Sequence, residues 1–182
     1  LSQIRHSHLC RVYDFGFQPD QERYYFTSEF CPGLPFLAAV KDKPHSYLEE
    51  CLAQILSALD CVHSQGVVHF DIKGDNILVE EKDGRPLVKI VDFGVAARLR
   101  GGAEGWGGGT LPYMAPEILR ATGSVDHRVD LYSLGILYLR ALTGTFPFDP
   151  ANADAVSAWH LTGELSSEIW SRCAAPRYFR EI

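Results

Sequence analysis

His69-Phe70-Asp71-Ile72-Lys73-Gly74-Asp75-Asn76 is followed, sixteen residues after Asn76, by Asp92-Phe93-Gly94. A long amphipathic run precedes the first stretch. A β-rich run separates the two, Ile77-Leu78-Val79 and then Leu87-Val88-Lys89-Ile90-Val91. The pattern places two carboxylates (Asp71, Asp92), one amide (Asn76) and one lysine (Lys73) at the ends of short strands. Such a set suits metal-bound phosphate chemistry. Hard oxygens are what Mg²⁺ takes, one or two from protein and the rest from water and phosphate. A lone Asp-Phe-Gly carries little information. Here it stands in order between His-x-Asp-x-Lys-x-x-Asn and Ala115-Pro116-Glu117, and that ordered trio is specific.

The chain has 182 residues, 46% apolar and 22% charged, the balance of a globular domain with a sizeable core. Its net charge of −6 and the lack of any Lys/Arg cluster argue against a nucleic-acid-binding face. Five cysteines, at 10, 31, 51, 61 and 173, show no C-x-x-C spacing. They are read as reduced, mostly buried thiols in a cytosolic setting. No apolar run has the length of a membrane span. The first residue is Leu1, in what reads as mid-element, so a longer protein with other domains is expected.

The three motifs resemble the catalytic loop, the metal-binding loop and the end of the activation segment of eukaryotic-type serine/threonine protein kinases. The resemblance implies an α+β, protein-kinase-like fold with a mainly helical large lobe and a few strands of the small lobe. Residues 1–31 would be a remnant of the small lobe with the hinge, and residues 32–182 the large catalytic lobe, incomplete at its C-terminus. ATP and Mg²⁺ would be the cofactors and a protein the substrate. By the general scheme of kinase phosphoryl transfer, Asp71 would accept the substrate hydroxyl proton. Lys73 would steady the transferring phosphate, and Asn76 and Asp92 would hold Mg²⁺. Lysine two residues after the aspartate is the serine/threonine pattern.

The same resemblance assigns other residues along the chain. Leu1 to Phe17 is similar to the segment entering the fourth small-lobe strand, and Arg23 to Phe30 reads as the next strand. Ser28 would lie behind the adenine, with the Glu29 carbonyl and the Cys31 backbone facing it and Leu78 as the pocket floor. Thr110, leading Leu-Pro-Tyr-Met-Ala-Pro-Glu, resembles the substrate-docking segment, its hydroxyl bridging toward Asp71 and Lys73. The His69 ring would pack on Phe93. Asp130, in an apolar run from Asp126 to Leu142, would accept backbone N–H bonds from the catalytic loop, since a buried carboxylate needs partners. Glu117 would pair with Arg172, Arg177 or Arg180.

Two look-alikes are set aside. Asp14-Phe15-Gly16 precedes the catalytic loop and has no strand-loop metal context. The glycine-rich Gly101 to Gly109 has neither a strand before it nor a Gly-Lys-Ser/Thr end, so it is no phosphate loop. Between Ser46 and Gln65 a helix is expected, with a Ser46/Glu49 capping box, a Gly66 stop and one buried face of Leu48, Cys51, Leu52, Ile55, Leu56, Leu59 and Val62. A further helix is expected over Ala151 to Gly163.

Three functions compete on these residues. The first is ATP-dependent phosphorylation of protein serine or threonine by the full-length protein. The second is a pseudokinase or truncated relative acting as a protein-binding scaffold, and the third a small-molecule kinase. Retention of Asp71, Lys73, Asn76 and Asp92 together favours the first. No glycine-rich loop and no Val-Ala-x-Lys strand precede residue 31, so residues 1–182 alone are expected to be inactive. Phe70 stands where many kinases carry an arginine that grips an activating phosphate, and Val95 to Gly109 holds no serine, threonine or tyrosine.

Overall fold

The computed structural model describes residues 4–93, 97–98, 109–120 and 125–163. In chain order the elements are β1 (Val12–Gln18), β2 (Arg23–Ser28), β3 (Leu34–Pro35), α1 (Phe36–Val40), α2 (His45–His63), β4 (Val67–Val68), β5 (Ile77–Lys82), β6 (Arg85–Ile90), β7 (Ala97–Arg98), α3 (Pro116–Leu119), α4 (Arg128–Thr143) and α5 (Ala153–Thr162). This is the expected α+β mixture. The chain divides into two compact units, Leu1–Gln65 with Asp75–Asp92, and Gly66–Gly74 with Phe93–Ile182.

In the first unit, β5 and β6 form an antiparallel hairpin through Asp83 and Gly84, both at positive φ (51° and 77°). Asp-Gly is the pair that such a tight turn favours. Ile77, Val79, Val88 and Ile90 are buried at two-residue spacing, so one face of the hairpin enters the core. β3 adds on the far side of β5, in the order β3-β5-β6. The outer edge of β6 is covered by side chains. Gln54 of α2 accepts from the Val88 N–H (2.9 Å) and donates to the Pro86 carbonyl (2.8 Å), and a His8 ring nitrogen bonds the Val88 carbonyl (3.1 Å). These contacts satisfy backbone groups that an open edge strand would leave unpaired.

α2 carries Leu48, Cys51, Ile55, Leu59 and Val62 into that core as expected, with Tyr47 and Ala58 in addition. Two details differ. Leu52 is only half-buried and Leu56 is exposed, because both lie at the flank of the buried stripe. The helix begins at His45, with Pro44 in the N-cap position and no side-chain cap, so Ser46 lies inside the first turn and the capping box does not form. Glu49 instead meets His45 at 3.4 Å. β1 and β2 make a second antiparallel hairpin, and every residue of β2 is exposed. Asp14-Phe15-Gly16 lies within β1, where a Cβ on Gly16 would come within 2.6 Å of the Tyr25 ring.

In the second unit, β4 pairs with β7, and α4 supplies the core. Its buried residues are Val129, Asp130, Ser133, Leu134, Ile136 and Leu137. Leu131 is exposed and Leu139 and Leu142 half-buried, so the apolar run from Asp126 to Leu142 gives α4 one buried face. Gly144 ends it in the left-handed region (φ 75°). α5 is capped by Asn152, which accepts from the Asp154 and Ala155 N–H groups at 3.1 Å each. Arg140 donates to the Tyr113 hydroxyl (2.8 Å) and lies over the Phe146 ring (4.4 Å).

The four described cysteines are free, but only Cys51 is buried; Cys10, Cys31 and Cys61 are half-buried. The expectation of mostly buried thiols therefore fails for those three. Cys173 lies outside the described residues, as do Arg172, Arg177 and Arg180, the candidate partners of Glu117. No helix among the described residues is long and apolar enough to cross a membrane.

Candidate active site

The second unit builds its polar centre from the helix outward. Asp130, on the first turn of α4, is fully buried. One of its carboxylate oxygens accepts the His69 N–H and the other the Phe70 N–H, both at 2.8 Å. A buried carboxylate with two charge-assisted bonds is stable where an unpaired one is not. The clamp supports a costly backbone. Phe70 sits at φ 66°, a region that side-chain-bearing residues seldom adopt. Its ring is buried with Val68, Ala115 and Val129. His69 accepts the Asp71 N–H on Nδ1 (3.3 Å), and its ring lies 4.6 Å from that of Phe93. The expected Asp130 anchor and His69–Phe93 contact are both present.

This backbone presents Asp71 to a closed triangle of polar contacts. The Thr110 hydroxyl donates to Asp71 Oδ1 at 2.7 Å, Lys73 Nζ pairs with Asp71 Oδ2 at 2.7 Å, and Lys73 Nζ donates to Thr110 Oγ1 at 2.9 Å. The bridge expected of Thr110 is therefore in place. Gly109 (φ 116°) makes it possible, because a Cβ there would approach the Phe70 carbonyl to 3.0 Å. Ser133 of α4 fixes the same segment by donating to the Tyr113 carbonyl at 2.7 Å. Gly109 and Ser133 were not marked as site residues by sequence. The first was one glycine among six in Gly101 to Gly109, and the second lay unremarked in the apolar run from Asp126 to Leu142.

Asn76, Leu78, Asp92, Glu29 and Cys31 belong to the first unit. Asn76 immediately precedes β5 and Asp92 closely follows β6, so both stand at the open end of one hairpin. The Val91 N–H closes that end on the Asn76 carbonyl at 2.9 Å. Asn76 is buried, and Asp92 is exposed at φ 58°. An amide oxygen and a carboxylate at one hairpin end fit the sparse, oxygen-only protein contribution that Mg²⁺ takes. Among the described residues there is no cluster of three or more His, Cys, Asp or Glu to make an all-protein cage.

Leu78, half-buried, faces Lys89 across the hairpin and Pro35 of β3. Glu29 continues the β1–β2 ladder, donating its N–H to the Arg11 carbonyl at 2.8 Å. Its carboxylate pairs with Lys89 at 2.8 Å and accepts the Arg11 N–H at 3.2 Å. Lys89 first, and then the Arg11 N–H, hold it below the usual carboxylate range. Cys31 follows, and Gly33 (φ 124°) lets the chain pass β5 where a Cβ would meet the Val79 carbonyl at 2.6 Å.

Comparison with known proteins shows the family. The protein kinase domain model matches residues 1–175. The maternal embryonic leucine zipper kinase of Danio rerio is 31% identical over 180 residues, covering 93% of this chain and 25% of its own length. The sperm motility kinase 3A of Mus musculus is 35% identical over 159 residues, 85% of this chain and 31% of its own. The serine/threonine-protein kinase Pkn1 of Myxococcus xanthus is 37% identical over 155 residues, 82% of this chain and 22% of its own. The chain thus spans between a fifth and a third of the length of these relatives.

Proposed function

This chain belongs to the protein kinase domain family, and we propose that the protein carrying it transfers the γ-phosphoryl group of Mg·ATP to serine or threonine of protein substrates. The observation that carries this reading is the Asp71–Lys73–Thr110 triangle on a backbone clamped by Asp130. A carboxylate held beside a cation and a hydroxyl is equipped to take a proton from an incoming alcohol. Asp71 accepts the substrate hydroxyl proton, and Lys73 steadies the transferring phosphate. Thr110 keeps both in register. Little covalent chemistry is asked of the protein, because phosphoryl transfer is helped mainly by positioning and charge stabilisation.

Asn76 and Asp92 would hold Mg²⁺, which would supply neutralisation of phosphate charge. The Glu29 carbonyl, the Cys31 backbone and Leu78 would receive the adenine. In lobe terms, residues 1–31 are the end of the small lobe with the hinge, and residues 32–182 the large lobe. The setting is cytosolic, with further domains in the protein and no nucleic-acid partner. The test is transfer of labelled phosphate from ATP by the full-length protein to a peptide library, followed by phosphoamino-acid analysis. Label on serine or threonine that vanishes with Asp92→Asn is expected. Transfer to tyrosine alone, or none by a folded full-length protein, would contradict the proposal and leave the scaffold reading.

A further inference from the structure

The side-chain thiols of Cys10 and Cys31 in the first unit have no role in phosphoryl transfer as proposed above, where Cys31 serves through its backbone alone. Cys10 is fixed beside the end of β6, its N–H donating to the Ile90 carbonyl at 2.8 Å while Leu9 bridges to Ile90. Cys31 lies past the end of β2. Their side chains converge on one oxygen, the Glu29 carbonyl, which accepts from Cys10 Sγ at 3.4 Å and from Cys31 Sγ at 3.8 Å. Glu29 holds the shared oxygen in place, since its N–H is bound to Arg11 and its carboxylate to Lys89 and the Arg11 N–H. Both residues are half-buried, neither sealed in the core nor fully exposed. Cys51 is buried in α2, and the Cys61 sulfur accepts from Gln65 of its own segment at 3.9 Å.

We propose that Cys10 and Cys31 form a dithiol site that hydrogen peroxide converts into an intramolecular disulfide, fastening the turn after β2 to the end of β6. Cys10 loses its proton to solvent, and the thiolate attacks one peroxide oxygen. The O–O bond breaks, hydroxide leaves, and Cys10 becomes a sulfenic acid. Cys31 sulfur then attacks Cys10 sulfur. The S–O bond breaks as the S–S bond forms, and the Cys31 proton leaves with the hydroxide as water. The sum is two thiols and one peroxide giving one disulfide and two waters. The order follows from the surroundings of Cys31, whose thiol is pushed up to about 12, first by burial and then by the Cys10 thiol. It is the poorer first nucleophile and the natural resolving partner. A dithiol reductant reverses the bond by exchange.

The test uses the full-length protein, reduced, desalted and exposed to hydrogen peroxide, with free thiols then alkylated in denaturant. Trypsin cuts after Arg5, Arg11, Arg23 and Lys41, so the two cysteines fall in separate peptides, residues 6–11 and 24–41. Mass spectrometry without reduction is expected to find these joined, two hydrogens lighter than their sum, and separated again by dithiothreitol. Cys31→Ser is expected to leave Cys10 as a sulfenic acid that dimedone traps, and Cys10→Ser to abolish the cross-link. Cys10 found joined to another cysteine would overturn the proposal. So would over-oxidised Cys10 beside a fully alkylated Cys31. The readout is a covalent bond, so its outcome is independent of whether the protein transfers phosphate.

Discussion

Residues 69–71 and the β1–β2 hairpin hold their shapes by different means. The loop puts a buried aromatic at positive φ and takes two backbone N–H groups out of water, and one carboxylate, Asp130, satisfies both. The hairpin pairs its backbone across an antiparallel ladder and leaves its side chains outside. Tyr24 is 72% exposed and Phe15 66%. Its aromatics support one another in pairs, Phe15 with Tyr24 at 5.7 Å and Phe17 with Tyr24 at 4.9 Å. A polar network that fixes a strained loop depends on every member, because losing one strands the others. A solvent-facing hairpin spreads its stability over many small contacts.

The contrast can be broken by mutation. Asp130→Asn keeps the size of the side chain but leaves one of two buried N–H groups facing an amide that cannot accept from it. We expect a loss of about 1–3 kcal/mol in urea unfolding, together with reduced turnover. Tyr24→Ser should cost less than about 1 kcal/mol, the usual worth of a cross-strand pair. A larger loss for Tyr24→Ser than for Asp130→Asn would reverse the comparison.

A pH series sharpens it within the second unit. His160 is buried against Tyr132, whose hydroxyl lies 2.7 Å from Nδ1, and its pKa is lowered, chiefly by burial and against the raising effect of the Leu111 and Pro112 backbone. Below about pH 6.5, the ordinary histidine value, the unfolded chain therefore binds more protons at this site than the folded one. The stability is present above that pH and lost as pH falls toward the lowered value, at no more than about 1.4 kcal/mol per pH unit. Replacing His160 by glutamine should flatten the difference in urea midpoint between pH 7.5 and pH 5.5. An unchanged slope would remove His160 from the account.

The smallest expected effect is none. Phe70 is buried among apolar side chains and offers no charge to an activating phosphate, so phosphatase treatment of the full-length protein should leave the turnover proposed for it unchanged. A large loss that tracks a phosphate removed between Asp92 and Glu117 would refute this.

What could be read from the sequence follows from how local the cause is. The contacts among Asp71, Lys73 and Thr110 were expected from the resemblance their motifs carry, and those of Asp130 also because a carboxylate inside an apolar helix demands partners. The start of α2 was misread because Ser46 and Glu49 make a local pattern that Pro44 forestalls two residues earlier. Leu56 and Leu131 fit the apolar period of their helices, but periodicity does not say how wide a face the neighbours cover. Gly109 depends on the Phe70 carbonyl, and the Cys10–Cys31 pair joins two residues 21 apart at the Glu29 carbonyl, so no local pattern marks them.

The central claim is that Asp71 takes the proton, and the direct measurement is single-turnover phosphoryl transfer by full-length Asp71→Asn, with ATP affinity and the urea midpoint measured on the same sample. The account predicts a rate lower by about 10²–10⁴-fold, the usual worth of a positioned acid–base group, with affinity and midpoint close to those of the parent. Near-parental turnover by Asp71→Asn would contradict it.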